Sequence, residues 1–227
     1  MVRTPAGIRL PLAADSVLAW IVWFWGEFER DELIMAGHLA LPGSYALDVG
    51  ANVGVYSVDL SRAVGPAGHV IAIEPLPATV DELRFNLAQN GCRNVEVVVA
   101  AAGAVGGQVE LLLAEDPALH SASRELPLGQ VPLGTLKVAS VTLDDLWNGA
   151  GRPPVTFVKI DVEGGEEEVL RGALALISAY RPSMIVEVHR PDRVNELLEL
   201  LPDYEAVSSP GFTSWNYLFR SARPSAR

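Results

Sequence analysis

The stretch that decides the fold is LDVGANVGVYS, residues 47–57. Its apolar start predicts a strand that runs into Asp48. Gly50 and Gly54 then let the backbone turn sharply and approach a ligand closely. A helix predicted to begin near Val53 directs its free N–H groups into the same crevice. Ligands of open α/β sheets bind at this place, beyond the carboxyl ends of the strands. The stretch therefore predicts a ligand-binding turn.

The kind of ligand is indicated by the residues around this turn. Glu74 ends the next predicted strand, where its carboxylate can accept two hydrogen bonds from a ribose diol. A dinucleotide fingerprint would require glycines at the positions of Asn52 and Val55. The acid two residues before the first glycine would repel pyrophosphate, but it suits a cationic amino-acid ligand such as S-adenosylmethionine. No lysine follows either glycine, which excludes a Walker A loop. A glycine-rich turn without a ligand is the alternative.

The rest of the chain alternates short apolar runs with segments of helical period. Strands are predicted at residues 45–49, 69–73, 95–99, 155–160, 184–188, 204–207 and 217–220. Helices are predicted at residues 53–63 and 79–90, after the fourth strand, and at residues 193–201. This alternation predicts an α/β, Rossmann-like fold, in which a mostly parallel seven-stranded sheet carries helices on both faces.

Two of the predicted helices have distinctive sequence signals. Thr79 and Glu82 match a capping box, which predicts a helix beginning at Thr79. After the fourth strand a single helix is predicted, with one apolar stripe. The stripe consists of Val169, Leu170, Ala173, Leu174 and Ile177.

The predicted sheet is interrupted at residues 107–141, which we interpret as a β-hairpin and loop insertion. Within it, residues 114–135 are rich in proline and glycine, and we expect a mobile loop that covers the site when substrate binds. The domain organisation predicted is a helical lead-in at residues 1–44, a catalytic domain at 45–220 and a flexible tail at 221–227.

Composition limits the partners and the compartment. The 227 residues carry a formal net charge of −11, which argues against a nucleic-acid-binding surface. Cys92 is the single cysteine, which fits a cytoplasmic, reducing compartment. The apolar stretch at residues 17–25 is too short to span a bilayer. We expect it to pack in the core or against a partner, with a peripheral membrane contact through its tryptophans as the alternative. A homo-oligomer is compatible with the sequence.

Four stretches resemble the FkbM family of class I S-adenosylmethionine-dependent methyltransferases. They are WGEFERDEL at residues 25–33, LDVGANVGVYS at 47–57, VTLDDLW at 141–147 and VKIDVEGGEEEVLRGA at 158–173. The resemblance implies the class I methyltransferase fold and S-adenosyl-L-methionine as the cofactor.

The resemblance also implies cofactor contacts. Glu74 would hold the ribose and Pro75 would border the adenine. Because no acid follows the third strand, the adenine would be held by backbone and apolar contacts near Ala101. Glu29 would face the cofactor or the substrate. The residues around the methionine part would be Asp48, Gly50, Ala51, Asn52 and Gly54.

Polar residues also end the fourth and fifth strands. Strand alternation puts Lys159, Asp161 and Glu163 on one face of the fourth strand. Glu187 and His189 are aligned in the same way on the fifth. In the strand order of the family the first, fourth and fifth strands are adjacent. Four side chains would therefore converge on one crevice, namely those of Asp48, Asp161, Glu187 and His189.

Each of these residues has a catalytic and a structural interpretation. His189 is the candidate general base, and Asp161 would orient it or hold the ammonium group of the cofactor. Lys159 and Glu187 are further catalytic candidates, although a structural ion pair between them is favoured. Asp161, Glu187 and His189 are suitable metal-ligand types, but no spacing demands a metal and none is predicted.

The function predicted is O-methylation of a hydroxyl group on a small molecule or saccharide. An acidic chain suits a neutral or cationic acceptor. An NAD-dependent oxidoreductase and a non-catalytic module that binds an S-adenosyl ligand are the alternatives.

Overall fold

A computed structural model describes residues 2–3, 7, 9–10, 29–114, 132–208, 211–212 and 215–222. A short antiparallel pair comes first, β1 (Val2–Arg3) and β2 (Arg9–Leu10). The strands that follow are β3 (Tyr45–Val49), β4 (His69–Ile73), β5 (Val95–Val98), β6 (Ala101–Ala102), β7 (Gly107–Leu113), β8 (Gly134–Val141), β9 (Val155–Ile160), β10 (Ser183–Glu187), β11 (Tyr204–Val207) and β12 (Asn216–Ser221).

Seven of these strands form the central sheet, in the order β11-β12-β10-β9-β3-β4-β5. The five strands from β10 to β5 are parallel, and β12 runs antiparallel to both β10 and β11. The predicted mostly parallel, seven-stranded sheet is therefore confirmed. Its carboxyl edge collects the residues that follow β3, β4, β9 and β10.

Helices cover both faces of the sheet, as predicted. They are α1 (Arg30–Leu39), α2 (Val55–Val64), α3 (Pro77–Gln89), α4 (Leu143–Gly149), α5 (Glu166–Arg171), α6 (Leu174–Tyr180) and α7 (Arg193–Glu199). Because strand side chains alternate, Ala46 packs in a core with α1, α2 and α3, whereas Leu47 packs in a second core with α4 to α7. Asp48 and Lys159 are buried polar residues on the first of these faces.

The prediction of a single helix after β9 is wrong, because the structure has two helices there, α5 and α6. The carbonyl of Gly172 accepts a hydrogen bond from the Asp144 amide at 2.9 Å instead of continuing a helix. The Asp144 carboxylate then caps α6 by accepting from the amides of Ala175 and Leu176. The break turns Leu174 outward, where 42% of its surface is exposed.

The predicted capping box of Thr79 and Glu82 is also wrong. The helix begins two residues earlier, with Leu76 as its N-cap and no side-chain cap. Pro77 occupies the first helical position, where its missing N–H costs nothing. The fixed φ of Pro77 favours a helix that begins at Pro77, two residues before Thr79.

The predicted insertion forms a separate three-stranded sheet, in the order β6-β8-β7. β7 and β8 make the expected hairpin, and β6 lies parallel to β8.

Most of the loop predicted to be mobile, residues 115–131, lies outside the described residues, as do the tryptophan-rich stretch at 17–25 and the end of the tail. None of the helices in the described ranges is long and apolar enough to cross a membrane.

Candidate functional site

The turn after β3 is packed directly against the end of β9. Gly50 has φ +80°, and a Cβ placed there would lie 1.7 Å from the carbonyl oxygen of Asp161. The amides of Gly50 and Ala51 both donate to the carbonyl of Ile73 at 3.0 Å, which ties the turn to β4. Both the backbone conformation and the close approach therefore require glycine at position 50.

We expect Gly50→Ala to lower the affinity for an S-adenosyl ligand by at least about tenfold and to lower the melting temperature. The added methyl group must push the turn away from Asp161. Gly43→Ala is the matched control, since Gly43 has φ +79° but nothing within 4 Å of its Cβ position. It should show only the backbone cost of roughly 1–2 kcal/mol and unchanged ligand affinity, measured by thermal unfolding and calorimetry. Equal effects of the two substitutions would contradict the close-packing argument.

Glu74 lies at the carboxyl end of β4 and is 6% exposed. Its carboxylate accepts hydrogen bonds from the amides of Asn52, at 3.1 Å, and Leu76, at 3.0 Å. Burial raises the pKa of Glu74 to about 7, although both backbone hydrogen bonds oppose the shift. Since each carboxylate oxygen has two acceptor sites, Glu74 keeps capacity for two further donors.

A cavity opens beside this carboxylate. Part of its wall is apolar, and Asp161 and Glu163 are acidic residues in the same wall. Leu111 of β7 shows that the inserted sheet supplies part of the wall. The lining residues are Gly50, Asn52, Ile73, Glu74, Pro75, Leu76, Thr79, Ala100, Ala101, Ala102, Leu111, Asp161, Val162, Glu163 and Gly165.

Some predicted cofactor residues do not line this cavity. Asp48 is 1% exposed, and its carboxylate accepts from the Ser57 hydroxyl of α2. Burial raises the pKa of Asp48 to about 6. Gly54 is the N-cap of α2, and a Cβ there would lie 2.4 Å from a methyl group of Leu83. Asp48, Gly54 and the buried Ala51 thus shape the turn from within the protein.

Glu29, expected to face the cofactor or the substrate, also lies outside the cavity wall. It precedes α1 with φ 41°, a left-handed conformation. One carboxylate oxygen accepts from the Tyr56 hydroxyl at 2.6 Å and the other from the Asn216 side-chain amide at 3.1 Å. Burial raises the pKa of Glu29. In this structure the carboxylate joins the start of α1 to α2 and β12.

Lys159 lies at the centre of this polar network and is 1% exposed. Its ammonium donates to Asn216 Oδ1 at 2.9 Å and lies 3.7 Å from Asp161 Oδ2. The favoured ion pair with Glu187 is therefore wrong, because Asp161 is the carboxylate within ion-pair distance. Burial alone would lower the pKa of Lys159, but the carboxylates around it, Asp161 first, leave that pKa raised.

The carboxyl ends of β9 and β10 bring Asp161 and Glu187 together. Val186 pairs with Ile160, so Glu187 lies beside Asp161. Burial, reinforced by Asp161, raises the pKa of Glu187, and the two carboxyl groups are hydrogen-bonded to each other.

His189 follows β10 and lies between two acidic side chains. Its Nε2 is 3.3 Å from Glu187 Oε1, and its Nδ1 is 3.6 Å from Glu163 Oε2. Burial lowers the pKa of His189, although Asp161 opposes the shift. The imidazole is therefore neutral at pH 7 and able to accept a proton. The structure brings Asp161, Glu187 and His189 together, but Asp48 is buried against Ser57, and of these four residues only Asp161 lines the cavity.

Within the described ranges, no group of three or more His, Cys, Asp or Glu side chains is arranged to hold a metal ion. The three candidate ligands instead form a hydrogen-bonded and charged cluster among themselves.

Three residues of the site were missed by sequence reasoning, namely Tyr56, Asn216 and Trp215. The Trp215 ring lies 4.8 Å from that of His189, at a tilt of 43°. Asn216 and Trp215 come to the site because β12 runs antiparallel to β10, and no local motif in the sequence indicates that pairing.

The strand order, the antiparallel β12 and a cavity at the carboxyl ends of β3 and β4 define the class I S-adenosylmethionine-dependent methyltransferase fold. Methyltransferase FkbM from Methylobacillus flagellatus KT has a similar fold, with a TM-score of 0.54 and 22% identity over 78% of this chain and 43% of that chain. Fibrillarin from Aeropyrum pernix, crystallised with natively bound S-adenosyl-L-methionine, has a TM-score of 0.51 and 12% identity, covering 84% of this chain and 73% of that chain.

The model of the methyltransferase FkbM domain matches residues 48–213, and the chain belongs to that family. The hexuronic acid methyltransferase AglP of Haloferax volcanii is 28% identical over 176 residues, 74% of this chain and 65% of AglP. Methyltransferase 1 of Beauveria bassiana is 27% identical over 146 residues, 57% of this chain and 58% of that protein. The matches therefore cover about three-fifths of the length of each relative.

Proposed function

We propose that this chain is an S-adenosylmethionine-dependent methyltransferase that methylates a hydroxyl group on a small molecule or saccharide. The observation that carries the proposal is the cavity itself, with Glu74 at one side and Asp161, beside Glu187 and near His189, at the other. Glu74, the proposed ribose acceptor, therefore lines the same cavity as Asp161, and the proposed base lies near Asp161.

The residues present fit the cofactor. Glu74 has free acceptor capacity for both ribose hydroxyls, and the apolar wall at Leu76, Ala101 and Leu111 suits an adenine ring. Asp161 and Glu163 supply negative charge where the sulfonium and ammonium groups would lie. When bound, S-adenosylmethionine supplies an electrophilic methyl group, so that the acceptor oxygen gains the methyl and the sulfur keeps the electron pair of the broken bond.

The chain's own residues then have separate tasks. Neutral His189 accepts the proton that the acceptor hydroxyl loses, because burial keeps its pKa below the working pH. Asp161 lies within ion-pair distance of Lys159 and is hydrogen-bonded to Glu187, whose pKa is raised by burial.

Glu74→Ala should weaken the binding of S-adenosylhomocysteine by about 1–3 kcal/mol, since the ribose hydroxyls lose their acceptor. Isothermal titration calorimetry measures this change. Glu82→Ala, an exposed position on α3, is the control and should leave binding unaltered. Unchanged affinity in Glu74→Ala would remove Glu74 from the cofactor site.

The raised pKa of Glu74 also predicts a pH dependence of cofactor binding. Ribose hydroxyls donate to the ionised carboxylate, so binding should weaken as the pH falls below about 7. In the ligand-free protein the same raised pKa means that ionising Glu74 lowers stability between about pH 4.5 and 7. Glu74→Gln removes this titration, and its affinity should show a flatter pH profile than that of the wild type.

The acceptor chemistry is tested by methyl transfer. The purified chain is incubated with isotopically labelled S-adenosylmethionine and a panel of hydroxylated metabolites and glycans, and the products are analysed by mass spectrometry and NMR. We expect a labelled methyl ether. A labelled N-methyl product, with none on oxygen, would contradict O-methylation and leave the family assignment intact.

A further inference from the structure

Trp215 is a large aromatic residue left partly exposed beside the candidate base. It immediately precedes β12, and 40% of its surface is exposed. Its carbonyl accepts from the Val188 amide at 2.7 Å, which fixes the backbone at the carboxyl end of β10. Its ring lies 4.8 Å from the ring of His189. An indole in this position offers an apolar face at the edge of the site rather than a contribution to the core.

Both the cavity wall and Trp215 lie next to His189. Glu163 belongs to the cavity wall and lies 3.6 Å from His189 Nδ1, whereas Trp215 contacts the imidazole ring. A hydroxyl group that gives its proton to His189 must therefore belong to a molecule lying close to the indole. A ring-shaped acceptor would rest its apolar face on Trp215.

The charges around His189 select against an anionic acceptor. Asp161 and Glu163 are acidic, and Lys159 is 1% exposed and engaged by Asp161 and Asn216. The nearby arginines in sequence are paired as well, Arg190 with Asp192, and Arg193 with Glu167 and Glu196. Among the described residues, the groups around His189 therefore present negative charge to an incoming molecule.

We infer that Trp215 is the platform on which the acceptor stacks, and that this acceptor is a polyhydroxylated ring without a negative charge. The inference rests on the proposed function and names the acceptor class for the same site. It separates this chain from its relative AglP, whose name specifies a hexuronic acid. Carboxylates such as Glu163 accept hydrogen bonds from sugar hydroxyls but repel a uronate.

The test is saturation-transfer NMR on protein saturated with S-adenosylhomocysteine. The three probes have the same kind of sugar ring and differ in charge. Methyl glucoside is neutral, glucosamine is cationic and glucuronate is anionic. We expect the first two to bind and glucuronate to bind about tenfold more weakly or not at all. Trp215→Ala should weaken binding of the neutral probe by about tenfold, and Trp215→Phe should retain part of it. Phe85→Ala, an exposed aromatic on α3, is the matched control.

The outcomes separate the inference from the proposed function. Glucuronate binding as tightly as methyl glucoside, unchanged probe binding in Trp215→Ala, or no binding of any of the three rings would overturn the inference. Retained S-adenosylhomocysteine binding in the variants shows that they are folded and leaves the proposed function standing. Failure of the wild type to bind S-adenosylhomocysteine would overturn the proposed function instead.

Discussion

Lys159→Met is expected to lower the free energy of unfolding by about 3–5 kcal/mol at pH 7. Methionine fills a similar volume, but it leaves the buried carboxylates without their ammonium counter-charge. Asp161 loses an ion-pair partner at 3.7 Å and Asn216 loses a donor at 2.9 Å. Denaturant unfolding measures the change. A loss below about 1 kcal/mol would show that the carboxylates do not depend on Lys159.

The pH dependence and the control sharpen this prediction. Burial raises the pKa of Asp48 to about 6, and it raises the pKa of Glu29 as well. These groups take up protons as the pH falls. The free energy of unfolding lost in Lys159→Met should therefore be smaller at pH 5 than at pH 8. A loss of stability that is larger at pH 5 than at pH 8 would contradict the account. The chain's other lysine, Lys137, is 71% exposed, and Lys137→Met should change stability by no more than about 0.5 kcal/mol.

His189→Ala is expected to lower turnover by about 100-fold or more, while S-adenosylmethionine affinity changes little. Loss of a general base acts in the transition state and not on cofactor binding. Since burial lowers the pKa of His189, wild-type activity should fall on the acid side of neutrality as the imidazole takes up a proton. Steady-state kinetics with an identified acceptor, together with cofactor titration, measure both effects.

Two further variants separate proton transfer from packing. His189→Phe keeps an aromatic ring against Trp215, so kcat should fall while the KM for the acceptor is largely kept. His69→Ala removes a histidine at the start of β4, at the opposite edge of the sheet, and should leave turnover unchanged. Near-normal turnover in His189→Ala would exclude histidine as the base and leave Asp161, Glu163 or Glu187.

The parallel strands could be predicted from sequence because each is a short, mainly apolar run with clear ends. The bounds of β3, β4 and β9 agree with the prediction, and Gly50, Glu74 and Asp161 follow these strands where the turn pattern places them. Local spacing is enough for these positions, since parallel strands bring their carboxyl ends to one edge.

The features that escaped prediction depend on contacts between distant segments. The break before α6 depends on Asp144, which caps that helix from α4. The partner of Lys159 is Asn216 because β12 returns antiparallel to β10, and nothing near either residue indicates that pairing. The same return places Trp215 against His189. Helical periodicity and strand alternation carry no information on such contacts.

The central claim is that the cavity beside Glu74 binds an S-adenosyl ligand. Calorimetric titration of the purified chain with S-adenosylhomocysteine and, separately, with NAD tests it most directly. We predict stoichiometric binding of S-adenosylhomocysteine, weakened by Gly50→Ala and Glu74→Ala, and no measurable binding of NAD. Tight binding of NAD, with no heat from S-adenosylhomocysteine, would contradict the account.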